Sequence, residues 1–96
     1  MADAMTLQVL TDTGLAIDEQ VVSVIAPGEV GYLGILHNHA PLITTLIPGK
    51  LTWRAPSGER RLLRIGTGLL EVRQNRITIL TDRTEPIPSE SESHER

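Results

Sequence analysis

Three observations on the sequence predict an all-β fold, a two-sheet antiparallel β-sandwich. Apolar residues recur with period two or in short β-branched runs, the pattern of strands. Turn signals punctuate those runs about every ten residues, the spacing of a sandwich or barrel. Nowhere does an apolar period of 3.6 persist through three helical turns.

Taken in order, TLQVL (residues 6–10) alternates Leu7 and Val9 with polar neighbours, and TDTG turns at Gly14. QVVSVIA (20–26) reads as one strand covered on both faces, because its β-branched residues are nearly continuous. Pro27, Gly28 and Glu29 signal a turn. GYLGILHNHAPLI (31–43) sets two glycines, two histidines and a proline among apolar residues, and reads as a loop. LITTLI (42–47) is the next strand, ended by Pro48 and Gly49. KLTWR (50–54) turns Lys50, Thr52 and Arg54 outward and Leu51 and Trp53 inward. After the APSGE turn, RRLLRI (60–65) puts Arg61, Leu63 and Ile65 on one face and Leu62 and Arg64 on the other. GTGLLEV, RQNR and ITILTD then read as strand, turn, strand, with Gly66 and Gly68 allowing a bulge or tight bend. The predicted core is Leu7, Val9, Val22, Val24, Leu46, Leu51, Trp53, Leu63, Ile65, Leu70, Val72, Ile77 and Ile79.

The 96 residues make one domain with a modest core, since a chain this short buries only about 60–65% of its unfolded surface. The sandwich is expected over residues 1–84 and a flexible acidic tail over 85–96. That tail holds Pro86, Pro88 and four glutamates, with only Ile87 to bury. There is no cysteine, which excludes disulfides and thiolate metal sites. No run reaches the ~18 apolar residues of a membrane span, so a soluble domain is expected. Charge is segregated along the chain. Residues 1–49 hold five acids and no Lys or Arg, whereas residues 50–83 hold eight bases and three acids.

The chemistry-bearing residues form no catalytic constellation. His37 and His39 would share a side of an extended segment, yet zinc needs a third protein ligand, and only the distant Asp18, Glu29 and Glu71 could supply it. GTGLLE lacks the third glycine and the helix of a dinucleotide fingerprint. Arg54, Arg60, Arg61 and Arg64 could mark nucleic-acid binding, but Tyr32 and Trp53 are the only aromatics available for stacking. Those arginines read better as a solvated sheet face or as protein-facing salt bridges. No metal, cofactor or nucleotide site is expected, and the chain reads as a non-enzymatic interaction module.

One family fits these residues. VVSVIAPGEVGYLGILHNHAPLITTLIPGKL (21–51), GTGLLEV (66–72) and ITILTD (77–82) resemble the N-terminal β-sandwich of the epsilon subunit of F-type ATP synthases. The family pattern runs G-E-x-G-I-x-P-x-H-A-P-L-x-T, then P-G, then G-G-x-x-E-V, then a hydrophobic strand ending in Ala-Asp. Order and spacing correspond over residues 6 to about 84. The resemblance implies a central-stalk rotor subunit that binds gamma and rests on the c-ring, coupling ion movement to ATP synthesis. It also implies a place at the cytoplasmic face of a bacterial-type energy-coupling membrane, reached only through partner subunits, with no nucleic-acid partner.

Carried over residue by residue, the ring-docking segment is Gly31, Tyr32, Leu33, Gly34, Ile35, His37, Asn38 and His39. Ala40, Pro41, Pro48, Gly49, Gly66 and Gly68 are its structural turns. Tyr32 stands where many relatives carry an acid, and His37-Asn38 replaces Pro-Gly. The family's C-terminal helical hairpin, with its brake on hydrolysis, has no counterpart in residues 84–96, so a coupling subunit without that brake is expected. The alternative from another class is a free-standing homo-oligomeric β-sandwich binding a small ligand or a metal.

Overall fold

Strand pairing decides the architecture. A computed structural model describes residues 4–87. Among these are ten strands: β1 (Met5–Thr11), β2 (Gly14–Val21), β3 (Ser23–Gly28), β4 (Gly31–Leu36), β5 (Leu42–Leu46), β6 (Gly49–Arg54), β7 (Arg60–Ile65), β8 (Gly68–Arg73), β9 (Arg76–Thr81) and β10 (Thr84–Pro86). They form two five-stranded layers, β4-β3-β6-β7-β10 and β5-β8-β9-β1-β2. The layers are continuous at one corner, where Gly28 of β3 pairs with Leu46 of β5. The all-β sandwich expected from the sequence is what the structure shows.

The core lies between the layers and follows the alternation. Met5, Leu7 and Val9 of β1, Leu70 and Val72 of β8, and Ile77 and Ile79 of β9 meet Val24 and Ala26 of β3 and Leu51, Trp53, Leu63 and Ile65 of β6 and β7. A polar clasp closes one margin of the core. Trp53 Nε1 donates to Glu19 Oε1 of β2 at 3.0 Å, and Arg61 lies 3.7 Å from Glu19 Oε2 and 3.1 Å from Glu59. The indole is 3% exposed, so Glu19 satisfies a buried donor from across the sandwich.

Several expectations are corrected. QVVSVIA is not one strand. A bend at Val22 breaks it, and the Val22 N–H turns to the Arg54 carbonyl at 2.8 Å. The bend shifts the phase, so Val21 is buried and Val22 only half-buried. Coverage on both faces also fails for β3, whose Ile25 is 45% exposed. The turn expected at Pro27–Glu29 sits one step later, at Glu29-Val30, and Pro27 and Gly28 belong to β3.

Pairing is not wholly antiparallel either. β1 runs parallel to β9, with Thr6 opposite Arg76 and Leu10 opposite Leu80. The sequence could not reveal this, because alternation fixes faces and not neighbours. Finally, residues 31–36 are strand β4 rather than loop. The boundary expected between residues 84 and 85 falls inside β10, where Glu85 and Pro86 pair with Arg64 and Leu63. The rest of the expected tail, from residue 88, lies outside the described residues.

Candidate functional site

The segment read as one docking loop divides into a strand with a different surface at each end. Ile35 of β4 points into the core and is 1% exposed, so it supports the strand and cannot meet a partner. Leu33 is half-buried against the same core, while Gly34 has open space around it. Six strand residues separate the two ends by about 17 Å at ~3.3 Å per step. Tyr32 and the His37–His39 segment therefore lie at opposite ends of β4.

At the first end, the β3–β4 hairpin turns on Glu29-Val30. Gly31 has φ +135°, a backbone region that side chains with a Cβ rarely adopt. Thr45 Oγ1 donates to Glu29 Oε1 at 2.6 Å, which ties the turn to β5. Ile47 N donates to the Pro27 carbonyl at 3.0 Å as the chain passes from one layer to the other. A Cβ on Gly49 would lie 2.9 Å from Pro27 Cβ, so only glycine lets that corner close. The result is a rigid tip on which Tyr32 and Ile47 flank Pro27 from opposite sides. Val30 is 96% exposed, Tyr32 64% and Ile47 44%.

Beside this tip runs a second apolar feature. Register lines up Leu69, Leu80, Leu10 and Leu15 across the outer face of β8, β9, β1 and β2. A groove of about 500 Å³ lies along part of that row, rimmed by Asp12 and Asp82. Val30, Ile47 and this leucine row were missed in the sequence. Their exposure follows from turn position and strand order, for which no local signal exists.

The other end of β4 carries Leu36 and the His37-Asn38 turn. Asn38 has φ +68°, and Asn75 and Gln74 in the β8–β9 turn have φ +60° and +51°. Positive φ at both central residues is the type I′ geometry that suits a two-residue hairpin. The two asparagines clasp each other: Asn38 N donates to Asn75 Oδ1 at 2.7 Å, and Asn75 Nδ2 to Asn38 Oδ1 at 3.3 Å. The Asn75 carbonyl also accepts from Thr6 N at 3.0 Å, so one residue joins three chain segments. His39 Nδ1 lies 2.7 Å from the Ala40 carbonyl, which can only accept, so the ring proton sits on Nδ1. The turn at residues 37–38 removes the extended geometry in which His37 and His39 would share a metal. No group of three or more metal-ligating side chains exists among the described residues.

The family model for the ATP synthase delta/epsilon chain β-sandwich domain matches residues 4–87. The ATP synthase epsilon chain of Desulfosudis oleivorans is 35% identical over 85 residues, covering 88% of this chain and 64% of its own length. Epsilon chain 1 of Thiobacillus denitrificans is 40% identical over 83 residues, covering 85% and 59%. This chain thus spans about three-fifths of the length of these relatives.

Among solved structures, a chain of the Euglena gracilis mitochondrial ATP synthase (OSCP/F1/c-ring, rotational state 1) superposes with a TM-score of 0.82 at 21% identity. The match covers 97% of this chain and 61% of that one. A chain of the Tetrahymena thermophila mitochondrial ATP synthase central stalk and c-ring gives 0.70 at 18%, covering 85% and 66%. At those identities the structural likeness speaks to the fold, and the sequence matches speak to descent. Residues 4–87 being one complete sandwich of that type, the chain belongs to the ATP synthase delta/epsilon chain family.

Proposed function

We propose that this sandwich is a non-catalytic central-stalk module of a rotary ATP synthase. It joins a gamma-type subunit to the c-ring and turns with both, so that ion movement is coupled to ATP synthesis or hydrolysis. The observation that carries this reading is the rigid tip with Val30, Tyr32 and Ile47 exposed together. A single exposed aliphatic residue needs no explanation, but three around one corner, continuing into a leucine groove, mark a surface built for partners. Two apolar surfaces side by side suit two partners: the tip for the polar loops of the ring, the leucine row for gamma. Support also comes from the structural neighbours, which are chains of central-stalk and c-ring assemblies. On this reading the protein sits peripherally at the cytoplasmic face of a bacterial-type energy-coupling membrane, held by its partner subunits. It binds no cofactor or nucleotide of its own.

The test replaces Val30 and Tyr32 together by aspartate. Both side chains are exposed, so the melting temperature should hold within about two degrees. Each apolar anchor at an interface contributes about 1–3 kcal/mol, so capture of purified c-ring should weaken by about tenfold or more, while binding of isolated gamma through the leucine row should hold. Undiminished capture by a folded variant would show that the tip is not the docking surface.

A further inference from the structure

Charge beside the leucine row has one sign. Register sets further residues in lines parallel to Leu69, Leu80, Leu10 and Leu15. On one side, two positions from Leu69, Leu80 and Leu10, stand Glu71, Thr78 and Gln8. The register shift between β1 and β2 then brings Asp18 opposite Gln8. On the other side, two positions past Leu80 and Leu10, Asp82 and Asp12 line the groove together, because β9 and β1 run parallel and end at the same rim. Asp82 N donates to the Thr67 carbonyl at 3.2 Å, which fixes the chain there. Asp12, Asp18 and Asp82 are exposed, and Glu71 is half-buried. Arg73 and Arg76 lie one line beyond Glu71 and Thr78, and Arg83 follows Asp82. Among the described residues, none of these arginines forms an ion pair with the four acids. The row is an apolar strip with an acidic frame along both sides.

Its dimensions select the shape of an occupant. Four strands spaced ~4.8 Å apart give the row a length of about 14 Å, and two residues at ~3.3 Å each set either acidic line about 7 Å away. A helix rising about 5.4 Å per turn covers that length in about three turns, and with side chains it is ~10 Å wide. Its apolar stripe can sit on the leucines while residues on both flanks reach outward to the acids. An extended strand sends alternate side chains to opposite faces, so it cannot frame one apolar ridge with charge on both sides. Carboxylates in those positions favour Lys or Arg across the contact and oppose acidic side chains.

We propose that the leucine row receives a cationic amphipathic helix. Its apolar stripe seats on Leu69, Leu80, Leu10 and Leu15, and its Lys or Arg side chains face Asp12 and Asp82 on one flank and Asp18 and Glu71 on the other. This rests on the reading of the row as the surface for gamma, and it gives the chemistry of the gamma segment that covers it. Apolar burial holds the helix, while the acidic frame sets its orientation and rejects acidic segments.

Two variants of the full chain and purified gamma test this by titration calorimetry. Asp12→Asn/Asp18→Asn/Glu71→Gln/Asp82→Asn removes the frame and keeps the strip, whereas Leu69→Thr/Leu80→Thr weakens the strip and keeps the frame. None of these side chains belongs to the core, so thermal melts should show both variants folded. Gamma binding should weaken about tenfold or more in each. For the unaltered chain it should also weaken between ~0.1 M and ~1 M salt, where the screening length falls from about 10 Å to about 3 Å. That salt dependence should shrink in the neutralised variant. A synthetic helix of about 18 residues with a leucine stripe and lysine flanks should compete with gamma, and its glutamate-flanked counterpart should not. Binding that needs the leucines but neither the acids nor low salt, or equal competition by the two peptides, would overturn the cationic helix and leave gamma on the row. Binding unchanged in both variants would overturn the row as the surface for gamma, and the proposal with it.

Discussion

Gly66 and Gly68 bracket the step from β7 to β8, and what each approaches sets its tolerance to change. A Cβ on Gly68 would overlap the backbone carbonyl oxygen of Leu80, and one on Gly66 would overlap the carboxylate of Asp82. Backbone in a paired strand cannot move without breaking the ladder, whereas an aspartate side chain can rotate away. Gly68→Ala should therefore cost about 1–3 kcal/mol, as overpacking does, and Gly66→Ala clearly less. For a domain of this size that is roughly 4–8 °C of melting temperature per kcal/mol. Equal losses in thermal melts would refute the distinction. Glu19 offers a second case. Glu19→Gln keeps an oxygen for the Trp53 N–H and loses only a half-exposed ion pair, so its effect should stay below about 1 kcal/mol. Glu19→Ala strands a buried donor and should cost about 1–3 kcal/mol in urea unfolding. If the two variants prove equally stable, the indole hydrogen bond is not what Glu19 contributes.

At the scale of the element, β4 shows where alternation was obscured. GYLGIL was read as loop because its two glycines and the following His-Asn-His look like turn chemistry. In the fold it alternates as a strand does, with Ile35 at 1% exposure and Leu36 at 63%. Ile35→Ala should then cost about 2–5 kcal/mol, while Leu36→Ala should stay within about 0.5 kcal/mol. Similar losses in the two would mean that β4 is not registered as described. The rest of the element pattern was legible wherever polar and apolar residues alternate cleanly, as in TLQVL, KLTWR and ITILTD. It failed at QVVSVIA, because a run of β-branched residues carries no phase and hides the bend at Val22. The docking segment was legible as a segment but not as a surface. Nothing local says that Asn38 meets Asn75, 37 positions away, or that Val30 and Ile47 share a corner.

For the whole molecule, the decisive contact is the longest one. β1 is held by β2 on one side and by β9 on the other, and its parallel register with β9 joins Thr6 to Arg76. Those partners are 70 positions apart (76 minus 6), so forming that ladder closes a loop that takes in most of the chain. The layers meet over a single core, and Met5, Leu7 and Val9 from β1 lie inside it. Neither layer can keep its buried face without the other, which favours one cooperative transition. Long-range pairing also pays its loop-closure entropy before any contact compensates for it, so folding should be slow for a chain of this length, in the millisecond-to-second range. Trp53 reports on the β6 layer, and far-ultraviolet circular dichroism reports on both. In urea the two signals should trace one coincident transition, and stopped-flow refolding should show the same fast phase by both signals, with slow phases from the six X-Pro bonds only after long unfolding. A tryptophan transition separated from the dichroism would mean that the layer carrying β6 and β7 melts alone, and the shared core would then not be what holds the sandwich together.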